Sequence, residues 1–177
     1  CENGIYACRA NWGFDGMKLS DLRGFRGIQS KLSGHGEQHL NPEGVLISNG
    51  PLGSALAQAQ GLSAGDHSAE RDRTTICILT DGASMEGEAR EALASIPGFA
   101  QKGLLNPFVL LISDNGTKLS GRIHEDAFSM QPTFESLSTF GWDVIKVEKG
   151  NNLQQVYSAI ELALEKSKAS PYRPVAI

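Results

Sequence analysis

The feature that most constrains the fold is a regular alternation of strand-like and helix-like segments from residue 74 onward. Apolar runs typical of strands lie at 75–80, 108–113, 142–147 and 174–177. Helical spacing of apolar residues separates them and is clearest in Leu153, Val156, Tyr157, Ile160 and Leu164, where Asn151 or Asn152 is the expected cap. Strands separated by helices predict right-handed crossovers and the α/β class, with a mostly parallel twisted sheet flanked by helices.

Three other segments have weaker helical patterns. Ala89, Leu93 and Ile96 share one face of a predicted helix, which Pro97-Gly98 is expected to interrupt. The remaining patterns are Phe134, Leu137 and Phe140, and, after a glycine-rich loop, Leu52, Leu56, Ala59 and Leu62. Residues 20–50 are rich in loop-forming residues, so we expect little regular structure there.

Length and composition exclude several classes of protein. The 177 residues carry a formal net charge of −4 and no basic run, so we expect no nucleic-acid partner. The longest apolar run, 108–112, is too short to cross a membrane. Three cysteines without metal-ligand spacing suit a reducing compartment, and we therefore expect a cytoplasmic protein. We expect residues 1–177 to form one domain that is incomplete at both ends, since the chain begins at cysteine and stops on a strand barely begun.

Polar residues follow the first two predicted strands at the points where these strands end. Asp81-Gly82 follows the first strand, and Asp114-Asn115-Gly116-Thr117 follows the second. Ligands gather at the carboxyl ends of parallel strands, and carboxylate, amide and carbonyl oxygens suit Mg²⁺ or Ca²⁺ better than zinc. Gly82 would leave room for a phosphate at the N-terminus of the next helix, so the pattern predicts a metal with a diphosphate. The alternative is that Asp-Gly and Asn-Gly are ordinary turn dipeptides.

The order of motifs resembles the transketolase family of thiamine diphosphate enzymes. An Asp-Gly pair followed by asparagine, here 34 residues later, resembles the family's cofactor motif. The other matching segments are residues 19–26 with 33–37, Gly50-Pro51-Leu52-Gly53, Met85-Glu86-Gly87-Glu88, 114–116 and 119–121. The resemblance implies the family's diphosphate-binding (PP-type) fold.

The same resemblance implies roles for individual residues. Asp81 and Asn115 would bind Mg²⁺, or Ca²⁺ or Mn²⁺ in its place, through their side chains, and Thr117 would bind it through its carbonyl. For the cofactor, Gly82 would approach the diphosphate, and Gly50 and Leu52 would line its rings. For catalysis, Glu86 would join a carboxylate network near a subunit interface, and His35 would face the substrate. The alternatives are an ordinary first-turn helix acid at Glu86 and a solvated loop histidine at His35.

The activity implied is transfer of a two-carbon ketol unit between ketose and aldose phosphates, as in the pentose phosphate pathway. These residues do not match the family's pyrimidine-binding domain, so we expect a separate domain or subunit to supply it, in a homodimer or a split hetero-oligomer. The chain alone would be inactive. A deoxyxylulose-phosphate synthase, a 2-oxoacid dehydrogenase E1 subunit and a non-catalytic relative are the alternatives.

Overall fold

The computed structural model describes residues 2–177, with side chains from Asn3 onward. Contacts divide the chain into two compact units, Cys1–Pro51 and Leu52–Ile177, and each is described by itself. The expectation that both belong to one domain stays a prediction.

The first unit contains one helix and a long irregular segment. Helix α1 spans Glu2–Trp12, and short 3₁₀ turns follow at Phe14–Gly16 and Leu19–Gly24. Tyr6 is 3% exposed, and its hydroxyl donates to the Ser33 carbonyl at 3.2 Å, which anchors the irregular segment to α1. The loop-rich character predicted for residues 20–50 is confirmed, whereas the sequence analysis did not predict α1.

The second unit is built on a parallel sheet, as the sequence predicted. Its four-stranded sheet has the strand order β1-β2-β6-β5, and the neighbouring strands in it are parallel. The strands are β1 (Thr75–Thr80), β2 (Phe108–Ser113), β5 (Asp143–Val144) and β6 (Val175–Ala176), and β3 (Thr117–Lys118) pairs antiparallel with β4 (Gly121–Arg122). The helices are α2 (Ser54–Ser68), α3 (Gly87–Gln101), α4 (Ile123–Asp126), α5 (Gln131–Glu135), α6 (Leu137–Phe140) and α7 (Leu153–Ala169). The third predicted strand is shorter than expected, since only residues 143–144 of 142–147 pair.

Helices pack on both faces of this sheet, although Ile76 and Ile78 on one side of β1 are 50% and 61% exposed. On one face, the apolar side chains of β1 and β2 pack with buried residues of α2 and α3, among them Leu56 and Leu93. On the other face, Val109 and Val175 pack with Ala163 of α7. This arrangement explains the continuous apolar character of β2, whose residues are buried on alternate sides.

The structure corrects the prediction that Pro97 interrupts its helix, because α3 continues through it to Gln101. A proline removes the hydrogen bond to the carbonyl four residues earlier, here that of Leu93. The Trp142 indole donates to this carbonyl at 2.7 Å, and the Trp142 side chain is completely buried. A distant side chain thus replaces the missing backbone donor.

Helix α7 forms where predicted, and the predicted stripe is partly confirmed, since Val156, Ile160 and Leu164 are half-buried and Leu164 packs with the buried residues of this face. Asn152 is its cap, accepting from the Gln155 backbone N–H at 3.1 Å. Leu153 and Tyr157 of the predicted apolar stripe are 83% and 55% exposed, while α7 buries Ala159, Ala163 and Ser167. The small side chains allow the helix to lie close to the sheet. Among the described helices, none is long and apolar enough to cross a membrane.

Candidate functional site

The turns that follow β1 and β2 lie side by side at the carboxyl edge of the sheet. Strands β1 and β2 pair in register to their last residues, with Thr80 opposite Ser113. The backbone N–H of Asp81 continues this pairing by donating to the Ser113 carbonyl at 3.2 Å. The two polar signatures of the sequence are therefore neighbours in space.

The Asp81 carboxylate connects the two turns. Its Oδ1 accepts from the Gly82 backbone N–H at 2.9 Å, and its Oδ2 accepts from the Gly116 N–H at 2.6 Å. Asp81 is only 1% exposed. Each carboxylate oxygen has a second lone pair, so these bonds leave acceptor capacity on both oxygens.

A second carboxylate, that of Asp114, lies close to Asp81. Partial desolvation raises the pKa of the Asp114 carboxyl, and the negative charge of Asp81 raises it further, while a hydrogen bond from Gln131 Nε2 lowers it. Neighbouring carboxylates that repel one another favour a cation between them. The sequence analysis included Asp114 in a motif without assigning it to the site; its position directly after a strand paired with β1 was the available signal.

Asn115 and Thr117 occupy the second turn, beside Gly116. Asn115 is exposed, and its Oδ1 accepts from the Thr117 N–H at 2.9 Å and also from the Thr117 hydroxyl. The Thr117 carbonyl faces the other turn, since its oxygen would lie 3.4 Å from a Cβ placed on Gly82. The structure thus brings together the three residues predicted to bind metal.

The possible metal ligands in these turns are mainly amide and carbonyl oxygens rather than a cluster of ionisable side chains. Within the described part of the chain, no three His, Cys, Asp or Glu side chains lie together as a metal-binding group. The two turns instead carry one buried carboxylate, one amide oxygen and one backbone carbonyl, which are the kinds of oxygen ligand that Mg²⁺ accepts in proteins.

The structure corrects the expected surroundings of Gly82. A 3₁₀ turn, Ala83–Met85, follows it, and α3 begins only at Gly87, so Gly82 does not stand at the N-terminus of that helix. The Ala83 N–H is already bonded to the Thr80 hydroxyl at 3.2 Å. Gly82 has φ −59° and ψ −40°, a conformation open to any residue. The backbone therefore gives no reason for glycine at this position.

Glu86 lies at the start of α3, against the glycine that precedes α2. Gly53 has φ +90°, and a Cβ on it would lie 2.5 Å from the Glu86 Cβ, so only glycine permits this approach. Glu86 is exposed, and its side chain caps none of the described helix N–H groups. Leu52, beside Gly53, is 58% exposed and thus available to a ligand.

His35 and Gly50 belong to the first unit, and the contacts described for them lie within it. Both residues are exposed. The His35 carbonyl accepts from the Ser33 hydroxyl, and the carbonyl of the following Gly36 accepts from the Asn49 N–H at 2.8 Å. These bonds tie the histidine segment to the residues just before Gly50.

A comparison with protein families assigns the chain. The family model described as transketolase, thiamine diphosphate binding domain, matches residues 3–177. This chain belongs to the transketolase family. Its class is therefore the one that the motifs predicted, down to the cofactor-binding domain.

Relatives and solved structures of the family agree. Transketolases of Halalkalibacterium halodurans and Bacillus subtilis are 35% and 36% identical over 169 and 168 residues, covering 90% and 88% of this chain and 24% of each relative. The crystal structure of Campylobacter jejuni transketolase matches 98% of this chain and 26% of that one, with 27% identity and a TM-score of 0.76. A Pichia stipitis transketolase mutant in complex with fructose-6-phosphate matches 97% of this chain and 25% of that one, with 27% identity and a TM-score of 0.71. The chain spans about a quarter of the length of these relatives.

Proposed function

We propose that the turns after β1 and β2 bind the diphosphate of thiamine diphosphate through a divalent cation, as part of a transketolase. The observation that carries the proposal is the buried Asp81 carboxylate, which is bonded to both turns and has the Asp114 carboxylate beside it. A buried negative charge with a second one nearby is costly unless a cation offsets it.

The residues of the two turns fit this cation. Asp81 and Asn115 would bind Mg²⁺ through side-chain oxygens and Thr117 through its carbonyl, with Ca²⁺ or Mn²⁺ as substitutes. Gly82 has no side chain, so a diphosphate could approach its backbone beside the Thr117 carbonyl, whose oxygen would lie 3.4 Å from a Cβ at this position. Asp81 has acceptor capacity left for the metal, whereas Asn115 Oδ1 already accepts two bonds from Thr117 and would exchange the one from the hydroxyl for the metal.

The reaction proposed is transfer of a two-carbon ketol unit between ketose and aldose phosphates, as in the pentose phosphate pathway. When bound, the cofactor would supply a carbanion as nucleophile and a cationic thiazolium ring that takes up the electron pair left when the carbon–carbon bond breaks. The complex of the Pichia stipitis relative with fructose-6-phosphate supports a sugar phosphate as substrate. His35 would hydrogen-bond the substrate, Gly50 and Leu52 would line the cofactor rings, and Glu86 would join the carboxylate network near a subunit interface.

Catalysis would also need a pyrimidine-binding domain. We propose that residues 1–177 form the diphosphate-binding domain, and that another domain or subunit of the same cytoplasmic enzyme supplies the second half of the site. A homodimer and a split hetero-oligomer would both provide this arrangement. The chain alone would then bind the cofactor weakly and transfer no ketol unit.

The metal site is tested by measuring the binding of thiamine diphosphate in the presence of Mg²⁺. Broadening of the ³¹P lines is the readout, because it detects weak complexes. Asp81→Asn removes the buried charge and is expected to weaken binding at least tenfold, about 1.4 kcal/mol. Asp72→Asn is the matched control: it makes the same substitution at an exposed aspartate that precedes β1, at the strand end opposite the two turns, so its affinity should stay within about twofold of the wild type.

Two results would contradict the proposal. One is equal binding by the wild type and Asp81→Asn, with thermal unfolding showing that both are folded. The other is a loss in Asp72→Asn as large as that in Asp81→Asn, which would mean that the net charge of the chain, rather than a contact in the two turns, sets the affinity.

A further inference from the structure

We propose that the Lys118 ammonium binds the diphosphate of the cofactor, adding a positively charged, anion-binding side chain to the site. This inference rests on the proposed function. Lys118 directly follows Thr117, in the β3–β4 hairpin, and its side chain begins at the place assigned to the diphosphate. The Lys118 Cα and Cβ would each lie 3.6 Å from a Cβ on Gly82.

The ammonium is held in a contact that it can readily leave. Lys118 Nζ lies 3.7 Å from Asp126 Oδ2, with the two side chains 26% and 48% exposed. An ion pair this open to water contributes about 0–1 kcal/mol. The four-carbon side chain of Lys118 is flexible, so rotation about its bonds can bring the ammonium toward Gly82 without movement of the backbone.

Charge balance gives the reason for such a move. The Asp81 carboxylate and the neighbouring Asp114 carboxylate already bring negative charge to the two turns. A diphosphate adds several more negative charges, and one divalent cation cannot offset them all. An ammonium beside Gly82 would lower the remaining repulsion, and charge-assisted bonds of this kind are the stronger class of hydrogen bond.

The competing explanation is that Lys118 only ties the hairpin to α4. Asp126 does not need Lys118 to hold that turn, because its Oδ2 also accepts from the Arg122 backbone N–H at 2.9 Å. Loss of Asp126 and loss of Lys118 should therefore have different effects. If the ion pair is only structural, the two variants should lose the same affinity for the ligand. If the ammonium contacts the diphosphate, loss of Lys118 should weaken binding and loss of Asp126 should not.

The experiment compares wild type, Lys118→Met and Asp126→Asn as full chains, with Mg²⁺ and either thiamine diphosphate or inorganic pyrophosphate, by ³¹P line broadening and calorimetry. Lys118→Met keeps the apolar stem and removes the charge, so we expect about tenfold weaker binding of both ligands and a smaller dependence of affinity on salt. Asp126→Asn frees the ammonium, so its affinity should equal or exceed that of the wild type.

Each other outcome overturns the inference. Equal affinity of Lys118→Met and wild type would show that the ammonium makes no contact. A matching loss in both variants, with a lowered unfolding temperature, would show that the ion pair is only structural. If the wild type binds neither ligand, the proposed function fails and the role of Lys118 fails with it, an outcome distinct from binding that Lys118→Met leaves unchanged.

Discussion

Gly82→Ala should separate folding from cofactor binding. In the structure Gly82 has right-handed helical backbone angles, so alanine adopts them without strain and restricts the unfolded chain. Gains of this kind are about 0.4–1 kcal/mol. The new methyl would meet the Thr117 carbonyl oxygen at 3.4 Å and the Lys118 Cα and Cβ at 3.6 Å, which are ordinary contact distances. We therefore expect the free energy of unfolding to stay equal or to rise by up to about 1 kcal/mol.

Binding should change in the opposite direction. The methyl would occupy the place proposed for the diphosphate, so thiamine diphosphate with Mg²⁺ should bind at least about tenfold more weakly, a loss of about 1.4 kcal/mol. Urea unfolding followed by circular dichroism measures the first effect, and calorimetry with ³¹P line broadening measures the second. A variant of greater stability with weaker binding is the expected combination.

Gly61→Ala is the matched control, because Gly61 lies inside α2 and a Cβ there would meet nothing within 4 Å. It should raise stability by about 0.5–1 kcal/mol and leave binding unchanged. The reasoning is refuted if Gly82→Ala binds the cofactor as tightly as Gly61→Ala does. It is also refuted if Gly82→Ala unfolds more easily than the wild type.

Two further predictions concern the core of the second unit. Trp142→Phe removes the 2.7 Å hydrogen bond to the Leu93 carbonyl and should lower the free energy of unfolding, measured in urea, by about 2–3 kcal/mol. The control is Trp12→Phe, at a side chain that is 79% exposed, which should change this free energy by less than about 0.5 kcal/mol. Similar losses in the two variants would contradict the role given to the Trp142 indole beside Pro97. Burial raises the pKa of the Cys77 thiol to about 12. In a Cys1→Ser/Cys8→Ser variant this remaining thiol should therefore react with a disulfide reagent at pH 8 only after urea is added. Rapid reaction of the native variant would contradict the burial of Cys77.

The sequence predicted the structure best where a local pattern decides it, such as an apolar run in a strand or a polar dipeptide at a strand end. The apolar runs at 75–80 and 108–113 are confirmed as β1 and β2 over those same residues. Burial on both sides, which a continuous apolar run predicts, holds for β2 but not for β1, where Ile76 and Ile78 are 50% and 61% exposed. Placing Asp81 and Asn115 at the ends of neighbouring strands followed from the two strand assignments, since parallel strands end at one edge. The family match confirms the diphosphate-binding domain that the motifs indicated.

The errors arose where contacts distant in sequence decide the local structure. Pro97 would end an isolated helix, and the Trp142 indole, 49 residues from Leu93 along the chain, compensates for it. Helix α7 packs Ala163 and Leu164 against the sheet and leaves Leu153 and Tyr157 exposed, so the close approach of the helix to the sheet decides which part of the predicted stripe is buried. In the 3₁₀ turn after Gly82, the Ala83 N–H donates to the Thr80 hydroxyl. The spacing of apolar residues in the sequence cannot predict a hydrogen bond of this kind.

The central claim is that Asp81, Asn115 and Thr117 hold a divalent cation that binds a diphosphate. Anomalous diffraction from crystals grown with thiamine diphosphate and Mn²⁺ tests it most directly. The account predicts one manganese peak within about 2.0–2.3 Å of an Asp81 carboxylate oxygen, Asn115 Oδ1 and the Thr117 carbonyl oxygen, with the diphosphate bound to the same ion. Cofactor density with the metal bound to other residues, or with no metal between these two turns, would contradict it.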